Sequence, residues 1–151
     1  MVTLPRAVKR TLSVTTPREE TTVVVDTWAL ACSRAWRIAS STIQAGIGKI
    51  PNAVLYGLAD KKDLGVHTEM FSDGLIDLIE SGVVNNSQKT FHPGKVLATF
   101  CIGTRRLYDY VDNNPMFEFR PVEYNSSPIN IAKNEKMVAI NTALQVDVTG
   151  Q

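Results

Sequence analysis

From Thr42 onward, short strand signals alternate with short helical ones, with glycines and prolines at the joints. A chain patterned this way packs as α/β layers, with helices laid over a sheet. Residues 42–44 read as a strand running into Gly46-Ile47-Gly48. Pro51 suits the first turn of a helix reaching about residue 59, because its missing N–H would be unpaired there anyway. Ile50, Val54 and Leu58 share one face of that helix. Residues 64–69 read as a strand. Asp73 is placed to cap a helix over 74–81 whose apolar face is Leu75, Ile76, Leu78 and Ile79, and Gly82 is its stop. Residues 96–102 form a continuous apolar run of strand length, the pattern of a strand buried on both faces. A short helix carrying Leu107, Tyr108 and Val111 follows Gly103-Thr104 and ends at Asn113-Asn114-Pro115. Further strands are expected at 117–120, 137–141 and 144–148. The chain stops directly after that last strand signal, so the open sheet is expected to be incomplete at its C-terminus.

Composition narrows the function. Of 151 residues, 44% are apolar and 21% charged, which is globular composition. Sixteen basic against fifteen acidic residues leave a net charge of +1, so no electrostatic grip on nucleic acid is indicated. No apolar run approaches the ~20 residues of a membrane-spanning helix, and no membrane partner is expected. Two cysteines and two histidines are too few for a disulfide framework or a metal site built from those side chains, and no metal is expected. Cys101, inside an apolar run, reads as an inert core residue. Residues 1–40 form a divergent N-terminal segment. The first 18 residues contain Arg6, Lys9, Arg10 and Arg18, several serines and threonines, and no acid. That is the composition of a mitochondrial transit segment, and equally of a disordered basic tail. Residues 28–40 allow a helix but show no clean apolar stripe.

Two local features carry chemistry. In Gly65-Val66-His67-Thr68-Glu69, a strand ends at a carboxylate and a capped helix begins a few residues later. Open α/β sheets bind ligands beyond the carboxyl ends of their strands, so Glu69 stands where a nucleophile or general base acts. A solvated loop glutamate has the same local signature. His67, two residues earlier on the same strand face, either orients the site or is a satisfied, half-buried histidine. The second feature is the turn Gly46-Ile47-Gly48 followed by Lys49. A glycine-rich strand-to-helix turn aims backbone N–H groups at an anion, although a tight turn alone also explains a lone GxG. Tyr124-Asn125-Ser126-Ser127-Pro128 is a polar turn cluster, whose asparagine either binds a ligand or satisfies its own backbone.

Four blocks in order, IQAGIGKIPNAVL, LGVHTEMFSDGLIDLIESGVV, ATFCIGTRRLYDYVDNNP and MVAINTALQVDVTGQ, resemble the acetyl-CoA hydrolase/transferase family, in particular its 4-hydroxybutyrate subgroup. The resemblance covers residues 41–151, and HTEMFSDG is its most specific part. It implies an α/β fold of the CoA-transferase type, with 41–151 as part of the C-terminal domain. It also implies a CoA-transferase that moves coenzyme A between short-chain carboxylates of the acetate and 4-hydroxybutyrate type. No permanent cofactor is implied, since acyl-CoA is the substrate, and the complete protein is expected to be a homo-oligomer. By the same resemblance Glu69 matches the catalytic glutamate. Gly46, Ile47 and Gly48 match an oxyanion and CoA-binding loop, while His67, Asn125 and Asn141 fall in blocks near the substrate. A thioester hydrolase on the same scaffold and a non-catalytic remnant are the alternative readings. The family's N-terminal domain and a downstream glycine-rich block have no counterpart in these residues, so the chain reads as a partial protein.

Overall fold

The computed structural model describes residues 11–15, 20–24 and 38–141. Its strands are β1 (Thr11–Thr15), β2 (Glu20–Val24), β3 (Thr42–Ala45), β4 (Gly65–Val66), β5 (Met70–Phe71), β6 (Val96–Ala98), β7 (Phe100–Cys101), β8 (Phe117–Phe119) and β9 (Met137–Ile140). The helices are α1 (Lys49–Tyr56), α2 (Asp73–Glu80), α3 (Arg105–Val111), α4 (Val122–Asn125) and α5 (Pro128–Ile131). Residues 28–37 of the helix allowed over 28–40 lie outside the described residues, and the strand expected at 144–148 lies wholly outside them.

The principal sheet runs in the order β1-β2-β9-β3-β4. Strands β2, β9, β3 and β4 are mutually parallel, and β1 closes the edge as an antiparallel partner of β2. No strand was expected before residue 42, because the Thr-rich stretches at β1 and β2 read as part of a divergent segment. A parallel bridge between His67 and Leu97 carries the pairing on toward β6, which pairs in parallel with β8. Parallel strands need crossovers, and α1 and α2 supply them. Gly48 precedes α1 at φ 124, a left-handed value that favours glycine, and Pro51 occupies the first turn as expected. The apolar face of α2, Leu75, Ile76, Leu78 and Ile79, is buried in full. Together with Ile43, Leu55, Val66, Phe71, Val96 and Leu107 it forms a single core. Gly82, at φ +76, ends α2 and donates its N–H to the Ile79 carbonyl at 2.9 Å. Among the described residues no helix is long and apolar enough to cross a membrane.

Three expectations need correction. The run 96–102 is not one strand buried on both faces. Val96, Leu97 and Ala98 are buried, but Phe100 and Ile102 are exposed, and the strand breaks at Thr99. There the chain changes partner, from β8 to β5, and the N–H groups of Thr99 and Phe100 both reach the Glu69 carbonyl, at 2.9 and 3.2 Å. Two residues opposing one is the arrangement of a β-bulge, which bends the strand. Cys101 is accordingly half-buried rather than fully enclosed, and burial raises its thiol pKa. Asp73 does not cap its own helix. Ser72 is the N-cap of α2, and the Asp73 carboxylate instead accepts from the Thr104 N–H and hydroxyl at 2.9 and 2.7 Å, fastening the start of α3. Gly103 permits that approach, since a Cβ there would fall 2.3 Å from Asp73 Oδ2.

Candidate active site

Strands β2, β9 and β3 end at one level and β4 two residues earlier, and their carboxyl ends define the candidate site. Ala45 of β3 pairs with Ile140 of β9, and Ile43 pairs with Val66 of β4. Continuing both registers past the last paired residues sets Gly46 beside Asn141 and brings Glu69, beyond the end of β4, to the same level by count. The first link is tight: Gly46 donates its N–H to the Ile140 carbonyl at 2.8 Å. Asn141 and Gln44 exchange side-chain amide hydrogen bonds at 2.8 and 3.2 Å, which fixes both side chains at the sheet edge. The second link runs through Thr68, whose hydroxyl lies 3.0 Å from the Ala45 carbonyl and 3.1 Å from that of Met70.

Glu69 lies at a bend between β4 and β5 and is exposed. Its carbonyl is held by the two N–H groups of the bulge at Thr99 and Phe100. Among the described residues its carboxylate has no hydrogen-bond or ion-pair partner. The backbone is therefore fixed while the carboxylate stays free to react. The turn at Gly46-Ile47-Gly48 faces the same edge. The Ile47 side chain is 69% exposed, and the Ile47 N–H donates to no backbone acceptor among the described residues. An N–H left free at the start of a helix is available to an anion.

His67 and Asn125 sit beneath this edge rather than on it, and neither lines its exposed surface. His67 is 2% exposed. Its Nε2 is 2.7 Å from the Asn125 carbonyl and its Nδ1 is 2.9 Å from the Asn134 side-chain nitrogen. Those partners require a neutral ring that donates from Nε2 and accepts at Nδ1. Burial, the main cause, lowers the pKa of His67. The Asn125 side chain in turn donates to the Thr68 carbonyl at 2.8 Å. His67, Asn125 and Asn134 thus tie the peptide before Glu69 to α4 and α5. Asn134 and Thr99 carry no mark in the sequence of belonging to this site. Their residue types are common in turns, and their partners are remote in the chain.

A pH dependence follows from the buried neutral ring. With the folded pKa lowered, the unfolded chain binds more protons in acid. The stability contributed by neutral His67 is therefore complete above about pH 6.5 and is lost as pH falls below it. Denaturant midpoints measured from pH 7 down to pH 5 are expected to decline, and His67→Gln is expected to flatten that decline. Equal slopes for the two proteins would show that His67 is not held neutral.

Residues 103–151 match the model of the acetyl-CoA hydrolase/transferase C-terminal domain. The chain belongs to the acetyl-CoA hydrolase/transferase family. Over 111 residues it is 54% identical to the 4-hydroxybutyrate coenzyme A transferase of Clostridium kluyveri, a match covering 74% of this chain and 26% of that protein. The crystal structure of 4-hydroxybutyrate CoA-transferase from Porphyromonas gingivalis superposes with a TM-score of 0.74 at 46% identity, covering 78% of this chain and 31% of that one. A more distant family member, the acetyl-CoA hydrolase of Yarrowia lipolytica, is 34% identical over 109 residues, covering 70% of this chain and 20% of that protein. The chain therefore spans about a quarter of the length of the curated relatives it matches. The mixed α/β architecture is that of the CoA-transferase structures.

Proposed function

We propose that this chain carries the catalytic edge of a CoA-transferase that moves coenzyme A between short-chain carboxylates through a thioester on Glu69. What supports the reading is the register of β4, β3 and β9, which, counted past its last pairs, brings Glu69, the Gly46-Ile47-Gly48 turn and Asn141 to one level beyond the carboxyl ends of the strands. The transferases among its relatives favour acyl exchange, and their names suggest 4-hydroxybutyrate and acetate as substrates. A homo-oligomeric assembly of the whole protein belongs to the same proposal. So does a mitochondrial or cytoplasmic location, the former supported by the basic, acid-free first 18 residues.

A Glu69 carboxylate oxygen attacks the thioester carbonyl, the C–S bond breaks, and CoA leaves as the thiolate. The product is a mixed acyl-glutamyl anhydride. The thiolate then attacks the glutamyl carbonyl and expels the donor carboxylate, leaving CoA on Glu69 as a thioester. An acceptor carboxylate reverses both steps and departs as the new acyl-CoA. Splitting the exchange in this way replaces one difficult step by steps of similar energy. Each addition creates an oxyanion, and the free Ile47 N–H is suited to receive it. His67, Asn125 and Asn134 hold the strand end without touching substrate.

The hydrolase reading has its own support in the Yarrowia relative and in the exposure of Glu69, since water that reaches the intermediate hydrolyses it. Supplying the whole protein with an acyl-CoA and excess acetate separates the two. Transfer predicts acetyl-CoA formed in step with donor loss and little free thiol. Free CoA released at the same rate with and without acetate would overturn the transferase reading in favour of the hydrolase.

A further inference from the structure

The outer edge of β4 changes partner along its length. At its start the backbone of residues 83–86 serves it: Leu64 donates to the Val83 carbonyl at 2.9 Å, and the Leu64 carbonyl accepts from Asn85 and Asn86 at 3.1 and 3.0 Å. At its end β6 serves it, with Thr68 donating to the Leu97 carbonyl at 3.0 Å. Val66 lies between these partners, and side chains take the place of a strand there. Its N–H donates to Asn86 Oδ1 at 2.8 Å, and its carbonyl accepts from Lys89 Nζ at 2.8 Å. The same Lys89 amine donates to the Lys95 carbonyl, immediately before β6, at 2.7 Å.

Lys89 is 4% exposed, although lysine is almost never buried without a purpose for its head group. Its stem lies over Gly65, where a Cβ would fall 2.3 Å from Lys89 Cγ. The buried Val66 carbonyl would be left unsatisfied without a donor beside it, and the same amine also reaches the part-buried Lys95 carbonyl. Desolvation holds the amine at about pH 7, with Glu118 the acid that favours its charge. Whether charged or neutral, it carries the two hydrogens these carbonyls need.

We propose that Lys89 is a positioning residue for Glu69, bridging β4 to the start of β6 so that the bulge at Thr99 and Phe100 meets the Glu69 carbonyl. Glu69 lies three residues past the end of β4, and the Thr99 and Phe100 N–H groups that hold its carbonyl follow directly on β6, so the bridge lies just before both parts of that contact. This proposal rests on the transferase reading of Glu69.

Its test uses Lys89→Met, which keeps the stem and removes the donors, and Gly65→Ala, which displaces the stem and keeps the amine. Both are made in the whole protein, and turnover is taken per folded enzyme. Each is expected to lower kcat about 10–100-fold, the cost of a small misplacement of a reacting group, with KM for acyl-CoA unchanged. The double variant is expected to be no worse than Lys89→Met alone, because both act through one contact. A kcat within about twofold of the parent in either variant, a change confined to KM, or loss of cooperative folding in both would overturn the proposal. Borohydride labelling of Glu69 in the unmutated protein is run alongside. If that labelling fails, the underlying transferase chemistry fails. If it succeeds and Lys89→Met keeps its kcat, only the role of Lys89 fails.

Discussion

Glu69→Gln is expected to abolish CoA transfer, by on the order of 10⁴-fold or more, as losing a covalent nucleophile does. The amide preserves the size and most of the geometry of the side chain but is a poor nucleophile. The Glu69 carboxylate is exposed and unpaired among the described residues, so the substitution is expected to leave stability within about 0.5 kcal/mol of the parent. Lost activity with an unchanged melting curve assigns the effect to chemistry. Glu80 serves as the control acid: it ends α2 in an ion pair with Arg106 at 2.6 Å and has no place at the sheet edge. Glu80→Gln is expected to keep turnover. Near-normal turnover in Glu69→Gln would end the covalent route altogether.

Gly46→Val is the second large effect. A Cβ at Gly46 would fall 2.4 Å from Asn141 Oδ1 and 3.2 Å from the Ile140 carbonyl. The new side chain must push Asn141 away from Gln44 or move the turn that carries the Ile47 N–H. Either change disturbs the proposed oxyanion donor, and losing one such donor costs ~2.7–4 kcal/mol of transition-state stabilisation, or about 10²–10³-fold in kcat. Gly48→Val reaches the same turn by another path, because its φ of 124 is strained for any residue with a side chain. Normal kcat in both variants would mean that the turn only connects β3 to α1.

The sequence made some of this architecture legible and hid the rest for physical reasons. Strands β3 and β9, helices α2 and α3, and the stop at Gly82 were readable because local apolar periodicity and the glycine after α2 mark them. The glycine turn after β3 was legible for a related reason, since such turns leave marks within a few residues. The pair β1–β2 was not, because Thr-rich β2 takes its place by pairing with β9, which is remote in sequence, and β1 pairs with β2 in turn. The break at Thr99 was hidden too, since seven residues of apolar run say nothing about a change of partner. The polar support lay furthest from view. Asn125 and Asn134 meet His67 across separations of 58 and 67 residues, and an asparagine that caps its own loop looks the same in sequence. Lys89, in a polar stretch after two asparagines, reads as a surface lysine until Gly65 and Val66 are seen around it.

Borohydride trapping shows directly whether Glu69 carries CoA. The whole protein is incubated with acyl-CoA in the absence of acceptor, treated with borohydride, digested and analysed by mass. A thioester is reduced under these conditions and a free carboxylate is not, so only an acid that has carried CoA is converted to the alcohol. Inactivation is expected, with a mass loss confined to the peptide bearing Glu69 and protection by excess acceptor carboxylate, which discharges the intermediate. An unmodified Glu69 peptide alongside reduction of another acid, or full activity after treatment, would contradict it.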